Sequence, residues 1–181
     1  MGFHFRPRPG DWLLNNAILE QAEREIYRNV RPSRAFDIPY VAGYSKDGKH
    51  FYIDRQMPKG FEYRGSFFAT DLPIILHEVI EKSLMVEEHG IIYELAHQIA
   101  LRGEEAAVKG AGVPWPAYNS FCMAQIKKIG SRPRYALCPR DLDLTPYIDE
   151  KDWSTLAKMS ANGVALWSSQ RGRTRDNGPK P

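Results

Sequence analysis

Cysteine is nearly missing from this chain: Cys122 and Cys138 are the only two in 181 residues, and neither belongs to a C-x-x-C pair or to the spacing of a zinc knuckle. A disulfide scaffold and a thiolate metal site are thereby set aside, and the expected setting is a reducing one, the cytoplasm. Long apolar runs are missing too. No stretch approaches the roughly 18 apolar residues that a membrane span requires, and "MGFHFRPRPGDW" at the start holds no apolar core of a signal peptide. Arg6 stands where a myristoylation motif beginning at Gly2 wants Ser or Thr, so no membrane partner is expected. An excess of one charge is also lacking. The net charge is only +3, and much of the surplus sits at the ends (Arg6 and Arg8; Arg171, Arg173, Arg175 and Lys180), so the near-neutral middle offers no footprint for nucleic acid.

What is present suits one globular domain over residues 1–167. At 43% hydrophobic and 26% charged the chain can bury a real core. From Ser168 onward "SSQRGRTRDNGPKP" has nothing apolar to bury, and 168–181 is expected to be a disordered basic tail. A first helix is expected from Asp11, with Leu13, Leu14, Ala17, Ile18, Ala22 and Ile26 at helical spacing, until Pro32 stops it. "KDGK" between two aromatic or β-branched runs marks a hairpin that ends at Met57 and Pro58. A helix capped by Thr70 or Asp71 follows, then a second one up to Gly110 and Gly112. "VPWPAY" reads as a rigid turn before a third helix, and a short helix begins near Asp149 or Asp152. The expected class is α+β: a small antiparallel hairpin packed on a helical core.

The helix "DLPIILHEVIEKSLM" carries the chemistry. It is apolar almost all the way round, yet His77, Glu78 and Glu81 lie in its middle. A buried carboxylate must be protonated, paired or bound to a metal. His77 and Glu81, four apart, share one face and suit a single ion. Glu78 points off that line, where it could take a proton from a water at the ion, which is the logic of H-E-x-x-H with glutamate at the fifth position. On the next helix His97 lies at an apolar face and supplies a third ligand, while Glu104, two turns on, either orients a ligand or replaces Glu81. Tyr118 is a candidate hydrogen-bond donor to a developing oxyanion.

A hairpin, a helix bearing "HEVIE" and a second helix with a downstream ligand resemble the core of zincin-like metallopeptidases over roughly residues 40 to 110. Glu81 stands where that family has its second histidine, and His97 where many members use glutamate. The resemblance implies one zinc ion, a water activated by Glu78, and a peptide or protein substrate extended along the strand from Phe51 to Arg55. Two alternatives stand beside it. One is an inactive relative serving in binding or assembly. The other is a carboxylate-bridged di-metal site using Glu94 and His97 with Glu78, Glu81 and Glu104.

Overall fold

Arg64 and Gly65 adopt left-handed φ values of 50° and 78°, the backbone that a two-residue hairpin turn needs. They join β3 (Gly60–Tyr63) to β4 (Ser66–Ala69), antiparallel with Phe61 opposite Phe68. This hairpin is absent from the sequence expectation, although "YRGS" between two aromatic runs carries its signal. The computed structural model describes residues 26, 28–85 and 90–159. The first helix expected from Asp11 lies outside them except for Ile26, Arg28 and Asn29, which are helical, and the tail 168–181 lies outside altogether. The described chain is α+β, with five helices and two small two-stranded antiparallel sheets. Among the described residues no helix is long and apolar enough to cross a membrane.

By its internal contacts the chain divides into two compact units, one spanning 1–31 and 58–123, the other 32–57 and 124–181. In the first, β3 and β4 precede α1 (Asp71–Met85) and α2 (Tyr93–Gly110), and α3 (Trp115–Gly130) begins. Pro73 sits in the first turn of α1, where a missing N–H costs nothing. The run Pro73 to His77 is buried throughout, together with Glu81. Gly112, at φ 81°, stops α2, and the Val113 N–H closes back on the Val108 carbonyl. The expected "VPWPAY" turn is instead partly helix: Trp115 and Pro116 form the first turn of α3, again where proline has no donor to lose. Gly60 is fixed by close approach, since a methyl group there would lie 2.0 Å from the Phe68 carbonyl oxygen.

The second unit holds β1 (Ala42–Tyr44) and β2 (Phe51–Ile53), the hairpin foreseen around "KDGK", with Gly48 at φ 69° in its loop. Both edges of β2 are occupied. β1 lies on one side, and on the other Ser33 donates to the Phe51 carbonyl at 2.9 Å and accepts from the Ile53 N–H at 3.0 Å. Arg55 likewise donates its N–H to Phe36. The strand expected to receive a substrate thus has β1 along one edge and Ser33 bonded along the other, and it belongs to a different unit from the helices of the first. Asp54, read from sequence as a strand-end residue, is fully buried and organises this unit. It accepts from the N–H groups of Ile38 and Gln56 and from both terminal nitrogens of Arg132, at 2.7 and 2.8 Å. Beyond these lie α4 (Thr145–Asp149) and α5 (Trp153–Lys158), the latter capped by Asp152 accepting from Thr155.

Candidate metal centre

One face of α2 is lined by Ala96, Ala100, Gly103 and Ala107, of which the three alanines are buried. A methyl group at Gly103 would lie 2.5 Å from Ile80 Cδ1, so the glycine lets α1 approach closely. His97 and Glu104 flank this stripe two turns apart, and α1 presents His77 and Glu81 one turn apart. The four side chains meet. His77 Nε2 lies 3.1 Å from His97 Nδ1; Glu81 Oε2 lies 2.9 Å from His97 Nδ1 and 3.4 Å from His77 Nε2.

Those three atoms form a triangle. Each ring nitrogen has one orbital in its plane, so no placement of protons turns all three edges into hydrogen bonds. A tetrahedral ion with bonds of about 2.0 Å holds its ligand atoms about 3.3 Å apart, close to what the triangle already has. His77, Glu81 and His97 are accordingly the group that could hold a metal ion among the described residues. Two imidazoles and a carboxylate suit zinc, and other divalent transition metals as well. The donor set and its spacing fit an ion.

Glu104 stands behind His77 rather than beside the triangle. Its Oε2 accepts from His77 Nδ1 at 2.9 Å, which turns the other ring nitrogen toward His97 and Glu81. Burial alone would pull the His77 pKa down, but the hydrogen-bonded carboxylates of Glu104 and Glu81 outweigh it and hold the pKa up at about 10. Without an ion, an imidazolium therefore sits between two carboxylates, and a bound cation takes over the role of its Nε2 proton. Access comes from the side of His97, whose side chain is 34% exposed against 9% for His77 and 5% for Glu81.

Glu78 is half-buried on α1. Its pKa is pushed up to about 8, first by burial and then by the charge of Glu81, with His77 pulling the other way. Tyr118, expected to face a reacting oxygen, is 1% exposed and donates its hydroxyl to Glu104 Oε1 at 2.5 Å. Burial, and after it the Glu104 charge, keeps that phenol protonated. A hydroxyl so engaged is not free to meet a substrate. This contact joins α3 to α2 across fourteen residues, a link without a spacing signal in the sequence. Glu94, the partner of His97 in the E-x-x-H pair, is exposed and outside the cluster, which leaves ligands for one ion among the described residues.

Comparison with protein-family models, with curated proteins and with solved structures finds no match to this chain. The site's chemistry therefore rests on its own geometry.

Proposed function

We propose that the chain binds one divalent metal ion, zinc in the first instance, through His77, Glu81 and His97, and uses it to hydrolyse a peptide or amide bond in a zincin-like arrangement. The observation that carries this reading is the triangle of Nε2, Nδ1 and Oε2 with edges of 2.9 to 3.4 Å on two packed helices. When bound, the ion would polarise a carbonyl and lower the pKa of water at the site. Glu104 orients His77. Glu78, next to His77 in sequence, would take the proton from the attacking water and return it to the leaving nitrogen once the charge of the bound ion lowers its pKa from about 8. His97, the least buried of the three, lies on the side from which a substrate would enter.

Elemental analysis of the purified chain beside His77→Ala and Glu81→Ala tests the metal. About one ion per chain, lost in both variants, is the expected result. Absence of metal after zinc is added removes the proposal. Glu78→Gln then tests the chemistry: it should retain the ion and lose turnover of a quenched-fluorescence peptide library. Full metal binding with no turnover in either form points to a metal-stabilised binding module instead.

A further inference from the structure

We infer that Tyr118 is a positioning residue for the metal centre, acting through Glu104 on His77; this rests on the metal-site reading above. Three elements contribute one group each. Tyr118 on α3 donates to Glu104 Oε1, and Oε2 of the same carboxylate accepts from His77 Nδ1 on α1 at 2.9 Å. The carboxylate is thus held from both sides, and its two oxygens have separate tasks. Glu104 is 7% exposed and Tyr118 1% exposed, so solvent replaces neither partner easily.

The phenol itself is fixed by packing, edge-on to Phe68 with ring centres 6.0 Å apart and tilted against Trp115 at 5.4 Å. Removing the hydroxyl leaves this packing in place and leaves Oε1 without that donor. A buried carboxylate recovers a lost hydrogen bond by rotating, and rotation about the Glu104 side chain carries Oε2 away from His77 Nδ1. The ring of His77 then loses the partner that sets its tautomer and its angle to Glu81 and His97. Carboxylates that hold a ligating histidine in this way typically change metal affinity by about 10- to 100-fold when removed. The hydroxyl one bond further out should act at the lower end, about tenfold.

The test uses the full chain with cobalt(II) as the ion, its affinity measured by competition with a chelator and its coordination read from the visible ligand-field absorption. Four proteins are compared: wild type, Tyr118→Phe, Glu104→Gln and the double variant. Tyr118→Phe should bind about tenfold more weakly with a shifted cobalt band, and the double variant no more weakly than Glu104→Gln alone. Equal affinity and an unshifted band in Tyr118→Phe overturn the inference while leaving the metal site standing. Additive losses in the double variant also overturn it, since Tyr118 would then act by packing alone. A wild type that binds no cobalt removes the metal-site reading and this inference together. Melting curves confirm that each variant is folded at the temperature used; a Tyr118→Phe variant that does not fold also overturns the inference, since the hydroxyl would then hold the fold rather than position the site.

Discussion

Raising the pH should weaken the metal-free protein and strengthen the metal-bound one, and the two signs come from the same residues. His77 has its pKa raised from 6.5 to about 10, and Glu78 from 4.5 to about 8. Both shifts mean that the folded chain holds protons that the unfolded chain has released. The His77 contribution is complete below its unfolded value of 6.5 and is lost as pH rises toward 10; that of Glu78 is complete below 4.5 and is lost on the way to 8. Between about pH 6 and pH 8 the two together should remove stability on the order of 4 kcal/mol, each pKa unit being about 1.4 kcal/mol. Denaturant melts in the presence of a chelator at the two pH values measure it directly. Glu78→Gln should roughly halve the slope, because glutamine does not titrate. With zinc added the slope should reverse, since the ion needs His77 deprotonated at Nε2 and binds more tightly as pH rises. A chelated protein equally stable at both pH values would refute the electrostatic reading of the cluster, and a zinc effect independent of pH would refute the competition between proton and metal.

Two substitutions outside the centre test the scaffold. Gly60→Ala places a methyl group 2.0 Å from the backbone oxygen of Phe68, so β3 and β4 must part or shift; a loss of about 1–3 kcal/mol is expected in a thermal melt, and wild-type stability would show that the strands are not in this register. Arg132→Met leaves the buried carboxylates of Asp37 and Asp54 without their shared guanidinium and should cost about 3–5 kcal/mol, whereas a change under about 1 kcal/mol would mean that water reaches the network.

The parts of the fold legible in the sequence are those whose signal is local. The helix at Asp71–Met85 announces itself through apolar residues at every turn, and the β1–β2 loop through Gly48, which takes the positive φ its turn requires. The PWP segment misleads because proline is read as a breaker, while at the first turn of a helix it breaks nothing. Asp54 misleads for a different reason. Its partners, Ile38 and Arg132, lie 16 and 78 residues away, and no periodicity links them. The metal centre divides along the same line. His77 with Glu81, and His97 with Glu104, are pairs set by helix geometry, so each was readable on its own element. That the two pairs meet depends on Gly103 against Ile80, a packing detail that only the folded chain displays. Tyr118 is the limiting case: an aromatic after a proline turn has no feature that separates a packing ring from a hydroxyl aimed at a buried carboxylate. The question posed by carboxylates inside an apolar helix thus has an answer of its own kind. Glu81 tolerates burial because two imidazoles face it, and His77 because carboxylates hold it from both ring nitrogens. Burying these charges against one another is costly for stability alone, and that cost is a physical reason to look for an ion at their centre.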